Sequence, residues 1–209
     1  MPEQRDNLLK AIVEETGDRI FIQPDKNDMV LYRLKAPVFF IGFMGAGKTT
    51  ISRRLARVCR LACIDLDGYI ERREGMTCSQ IFADCGEPRF REIETDVLRE
   101  FAYEGDPMIV SCGGGVIKTK ESREILKDAG FVVYLQVDAD EAKERIGDTS
   151  SRPLFQNIMN ARRTNEERKP LYLECADAWI ATNGKSVWQI TNEVQDTLIK
   201  AGVLCPVTE

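Results

Sequence analysis

Apolar residues fall into two rhythms that take turns along most of this chain. Short runs of apolar or β-branched residues at 38–42, 62–65, 108–111, 131–137 and 178–181 predict strands. Between them, 48–59, 87–101, 120–128, 140–146 and 187–201 repeat their apolar residues at helical spacing and predict helices. Thr77-Cys-Ser-Gln80 has the form of a capping box opening a short helix. Alternation of strand and helix predicts an α/β fold in three layers: a central parallel sheet of about five strands with helices on both faces. Ligands of such sheets gather beyond the carboxyl ends of the strands, so the segments that follow each strand carry the candidate chemistry.

Residues 1–36 break the rhythm and form a small N-terminal extension. Leu8, Leu9, Ile12 and Val13 suggest a short amphipathic helix, and 19–23 and 29–34 read as two strands around a polar turn. A lone hairpin is marginal in water, so it should pack on the body of the protein or on another subunit. Pro37 fits a boundary, leaving 37–209 as one catalytic domain.

The first predicted strand runs straight into Gly42-Phe-Met-Gly-Ala-Gly-Lys-Thr49, which matches the phosphate-binding loop G-x-x-x-x-G-K-[ST]. Glycines let successive backbone N–H groups turn toward phosphates. Lys48 reaches the β- and γ-phosphates, Thr49 offers a hydroxyl to Mg²⁺, and a helix starting at the lysine adds its positive end. The second strand leads into Asp65-Leu-Asp67. If the strand persists, the two carboxylates share a face; the alternative is a helix N-cap pair. The third leads into Ser111-Cys-Gly-Gly-Gly115, where the glycines 113–115 let backbone lie against a ligand. Arginines form a further set: Arg91 in a predicted helix, Arg152 in a polar stretch suited to a mobile lid, and Arg168 near the end of another helix.

Composition narrows the chemistry. The 209 residues are 43% hydrophobic, enough for one good core. A net charge of −5 and a pI near 5.1 argue against a general nucleic-acid binder. No apolar run approaches a membrane span, and a cytosolic location is expected. Seven cysteines without C-x-x-C and with no histidine favour reduced thiols over a zinc site. Without histidine, any general base is a carboxylate, lysine, tyrosine or water, a limit that phosphoryl transfer tolerates because positioning and electrostatics do most of its work.

Taken in order, the phosphate loop, Asp65-x-Asp67, Phe90-Arg91-Glu92, the glycines 113–115, Arg152-Pro-Leu and Arg168-x-Pro-Leu-Tyr172 resemble the shikimate kinase family. The resemblance covers 37 to the last helix and implies a P-loop kinase fold with a lid about 147–157. It implies transfer of a phosphoryl group from Mg·ATP to shikimate, giving shikimate 3-phosphate. Gly45, Ala46, Gly47, Lys48, Thr49 and Thr50 would wrap the phosphates, with Asp65 near the metal and Asp67 on the attacking hydroxyl. Arg91 and Arg168 would read the substrate carboxylate, with Gly113, Gly114 and Gly115 against the ring. Arg152 would close onto the phosphates and Arg145 would pack on adenine. Lys48, Asp67 and Arg152 are then the catalytic set. The expected partners are ATP and shikimate, with no nucleic acid and no membrane, acting on a monomer. The rival readings are another small-molecule kinase and a nucleotide-binding sensor without turnover.

Overall fold

The computed structural model describes residues 31–147 and 153–207. The helix and first strand expected within 1–30, and Arg152, lie outside the described residues.

Five strands form the central sheet: β2 (Val38–Ile41), β3 (Cys63–Asp65), β4 (Ile109–Ser111), β5 (Phe131–Gln136) and β6 (Ala178–Ala181). All pair in parallel, in the order β3-β4-β2-β5-β6. The first strand of the sheet in chain order, β2, is thus central and buried at all four residues. Its side chains split between the two faces, as a period of two requires. Phe39 and Ile41 join a core with Val110, Val132 and Tyr134, whereas Val38 and Phe40 join another with Ile109, Val133 and Leu135.

Helices cover both faces. On the Phe39 side lie α2 (Leu66–Glu74), α3 (Cys78–Tyr103) and α4 (Lys120–Ala129), through Tyr69, Val97 and Leu126. On the Phe40 side lie α1 (Lys48–Cys59), α5 (Ala139–Ile146) and α7 (Val187–Lys200), through Leu55, Ala142 and Val194. The remaining helix, α6 (Ile158–Cys175), contributes to both, with Tyr172 on one side and Ala161 on the other. Predicted and observed elements agree closely, and the capping box at Thr77 is formed in both directions.

Three features differ from the sequence reading. First, the strand does not continue through Asp65-Leu-Asp67: Asp65 ends β3 and caps α2, accepting a hydrogen bond from the Gly68 N–H at 3.2 Å. A helix N-cap competes with strand extension for the same backbone, and here it wins. Second, the capping-box helix and the helix predicted from 87 run on as α3 across a kink at Gly86, whose φ of 79° and ψ of 167° suit only glycine. Pro88 starts the second segment, where its missing N–H costs nothing.

Third, the strand Tyr32–Leu34 (β1) pairs antiparallel with β7 (Leu204–Pro206), an element the periodicity did not reveal. The two form a separate ribbon, and Leu34 and Leu204 are buried in the Phe40-side core.

Because an added methyl group at Gly86 must hold a conformation closed to it, Gly86→Ala should destabilise the protein by about 1–3 kcal/mol in urea denaturation. An unchanged midpoint would mean that the kink carries no strain.

Candidate active site

The carboxyl ends of β2, β3 and β4 open into a cleft of about 880 Å³, lined by 44–51, Asp65, Asp67, Gly68, Glu71, 112–114 and Arg145 among others. Each loop arrives there for a local reason. After β2 the chain wraps around the start of α1, whose N-cap Gly47 holds φ at 89°. No side chain caps that end and no acidic residue occupies its first turn, so its N–H groups and positive dipole face the cleft. Lys48 bends back: its Nζ donates to the carbonyls of Gly42 at 2.9 Å and Phe43 at 3.1 Å. This lysine therefore holds its own loop in shape while lining the cavity.

Beside it, three oxygen-bearing side chains converge. Thr49 donates to Asp65 Oδ2 at 2.7 Å, and Ser111 donates to the same oxygen at 3.1 Å; the two hydroxyls are 3.2 Å apart. Small, hard oxygen ligands next to a phosphate loop suit Mg²⁺, which keeps several waters and takes few protein ligands. Among the described residues no cluster of three or more His, Cys, Asp or Glu could hold a metal.

Asp67 sits in the first turn of α2 and faces the glycine run. A methyl group on Gly113 would lie 2.6 Å from Asp67 Oδ1 and 2.9 Å from Glu94 Oε1, so only glycine fits between the two carboxyls. Burial and then the neighbouring Asp65 push the Asp67 carboxyl above its usual range, with Lys48 and Arg91 opposing. The result is a carboxylate more ready than most to accept a proton.

Arg91 lies flat against the same run: a methyl group on Gly115 would come within 2.6 Å of Nη1 and 2.7 Å of Cζ. Its guanidinium packs by the stacked rings of Phe82 and Phe90, 5.6 and 5.1 Å from their centroids. Glu94 takes one edge, accepting from Nη1 at 2.5 Å, and Glu87 takes the other, accepting from Nε and Nη2 at 3.2 and 3.1 Å. Lys118 also pairs with Glu87. Arg168 on α6 donates from Nη1 to the Gly114 carbonyl at 3.2 Å, beside the Tyr172 hydroxyl at 2.6 Å.

The structure thus brings Lys48, Thr49, Asp65, Asp67, Gly113 and Gly114 to one cleft, with Arg91 and Arg168 gripping the glycine run. Arg145 also lines the cleft, but its guanidinium is engaged with Glu141 and with the hydroxyl and carbonyl of Thr182. Ser111 and Tyr172 stand in the sequence motifs without a predicted role, and Glu87 and Glu94 stand in the predicted helix 87–101. The i−4 and i+3 spacing of Glu87 and Glu94 from Arg91 was the readable signal for two of them. Cys112 is buried and its thiol is pushed well up by burial, so it is an inert core residue. Among the described residues, no helix is long and apolar enough to cross a membrane.

Glu94 is only 1% exposed, and its Oε1 has no hydrogen-bond partner among the described residues. Burial pushes its carboxyl up to about 7, with Arg91 opposing. The folded state therefore keeps the proton that the unfolded chain releases near 4.5. Stability from this group is full below about pH 4.5 and is lost as pH rises toward 7, by up to ~3 kcal/mol. Glu94→Gln should flatten that decline when denaturant midpoints are compared at pH 4.5 and 7.5; equal slopes would show Glu94 ionised throughout.

Comparison with known proteins follows the same residues. The shikimate kinase family model matches residues 44–199. A shikimate kinase of Bacillus anthracis is 38% identical over 162 residues, covering 77% of this chain and 97% of the relative. One from Rhodococcus erythropolis is 40% identical over 176 residues, covering 78% and 99%. Among solved structures, the shikimate kinase of Acinetobacter baumannii in complex with shikimate superposes with a TM-score of 0.74 at 34% identity, covering 79% of this chain and 94% of that one.

Proposed function

We propose how this cleft works from one premise: the chain belongs to the shikimate kinase family. It transfers the γ-phosphoryl group of ATP to shikimate. The observation that carries the residue assignment is the shared wall of the cleft, where the phosphate loop, Asp67 and the glycines 113 and 114 meet.

In this reading, residues 45–50 cradle the phosphates with backbone N–H groups, and Lys48 turns from its loop carbonyls toward the transferring group. Thr49 and Asp65, with Ser111 behind them, would hold Mg²⁺, which supplies positive charge to the phosphate oxygens. Asp67 accepts a hydrogen bond from the attacking hydroxyl and directs its oxygen in line with the phosphorus. Its raised proton affinity suits it to take the hydroxyl proton as the new bond forms. Arg91 and Arg168 read the substrate carboxylate as charged forks, so Glu87 must yield the outer edge of Arg91. Lys118 gives Glu87 an alternative partner when it does.

Arg152 belongs to the motif Arg152-Pro-Leu, and the family resemblance assigns it to the phosphates. Arg145, rooted by Glu141 and Thr182 at the rim, flanks the adenine. Action as a monomer is part of this reading. Residues 37–209 form the catalytic domain and 1–36 an accessory element, anchored through the pairing of β1 with β7.

An ADP-release assay with Mg·ATP and shikimate, quinate, gluconate or no acceptor tests the reading. Release with shikimate alone is expected; nucleotide binding without turnover on any acceptor would favour a sensor. Within it, Asp67→Asn should lower kcat by about 10²–10⁴-fold, the range of general-base contributions, while KM for ATP changes little. Near-normal turnover would remove Asp67 from the chemistry.

A further inference from the structure

One carbonyl in the cleft wall is held more firmly than any neighbour requires. The Gly114 oxygen accepts two hydrogen bonds from α6: the Tyr172 hydroxyl at 2.6 Å and Arg168 Nη1 at 3.2 Å. With two lone pairs, this oxygen is then saturated. Its donors stand one helical turn apart, on the same face of α6.

The two donors differ in everything else. Tyr172 is fully buried, and its ring stacks on Tyr134 of β5 with centroids 5.0 Å apart and planes 19° apart. Burial keeps its phenol protonated far above neutral pH, with the Arg168 charge and its hydrogen bond to the same hydroxyl opposing, so it is a permanent donor. Arg168, by contrast, spends only one of five N–H groups on the carbonyl, at a longer distance. It is also the group assigned to the substrate carboxylate.

We propose that Tyr172 is a positioning residue that keeps the Gly114 carbonyl turned toward α6, so that Arg168 can leave it for the carboxylate of the substrate. An inward-facing carbonyl would present a partial negative charge to that carboxylate, and an unpartnered one would keep its claim on the arginine. Tyr172 removes both obstacles without touching substrate. Selection for a carboxylate-bearing acceptor is thereby built into a tyrosine that lies behind the cleft wall. The inference rests on the reading of Arg168 given above.

The test compares Tyr172→Phe, Arg168→Ala and the double variant by steady-state kinetics, with Tyr134→Phe as a control for the stacked pair. Phenylalanine keeps the ring and its stack, and thermal midpoints identify the temperature at which all variants are folded. Tyr172→Phe should raise KM for shikimate about ten-fold, the loss of one net hydrogen bond, while kcat and KM for ATP stay within about two-fold. In the Arg168→Ala background the same change should add little to KM, because there is no arginine left to release. Tyr134→Phe should leave KM for shikimate unchanged.

An unchanged KM in Tyr172→Phe overturns the inference while a raised KM in Arg168→Ala leaves the arginine reading standing. Equal effects of Tyr172→Phe in both backgrounds, or a matching rise in Tyr134→Phe, would also overturn it in favour of plain packing. A normal KM in Arg168→Ala would remove the arginine reading and the inference together.

Discussion

Three consecutive residues without side chains set the dimensions of this site. The glycines 113–115 leave β4 and occupy a gap only as wide as a backbone: Asp67 and Glu94 close on the first, α6 grips the carbonyl of the second, and Arg91 lies on the third. Elements from α2, α3 and α6 therefore meet across a single peptide thickness. A Cβ on Gly113 must displace a carboxylate and one on Gly115 a guanidinium, whereas one on Gly114 would meet only ordinary contacts. The separation between the proposed nucleophile-orienting group and the anion-reading arginines is thus a property of the main chain.

Charge in this wall is balanced rather than neutralised. Asp67 and Glu94 are both held above the usual carboxyl range by burial, and the cations that oppose them, Lys48 and Arg91, are committed to other duties. Lys48 supports the phosphate loop and Arg91 is ringed by two glutamates and two phenyl rings. In the proposed mechanism each cation turns from these acceptors to a ligand anion. Buried charges in a low dielectric are costly when alone, and here each stands within reach of an opposite charge.

Much of this was legible in the sequence because the signals are local. The β2 run, the glycine spelling of the phosphate loop and the Thr77 capping box each encode their conformation within a few residues, and all three formed as read. Asp65 was harder: a strand residue and a helix cap share the same extended backbone, and only the Gly68 N–H three residues on distinguishes them. Ser111 and Tyr172 were beyond reach, since their partners lie far away in sequence, Thr49 and Asp65 for the first and Gly114 for the second; for Glu94 only the pairing with Arg91 was readable, not its approach to Gly113. The strand β7 escaped for a related reason. Three residues ending in proline carry no periodicity, and what makes them a strand is the partner, β1, at the other end of the chain.

That ribbon sets an order of events during synthesis. β1 leaves the ribosome before any strand of the central sheet, yet its pairing partner follows about 170 residues later, a contact of very high sequence separation. None of the five strands of the central sheet pairs with β1, whose Leu34 stands opposite Leu204 in the Phe40-side core. The last described strand therefore acts as a clasp, and the ladder of β1 stays open until the chain has been made through β7.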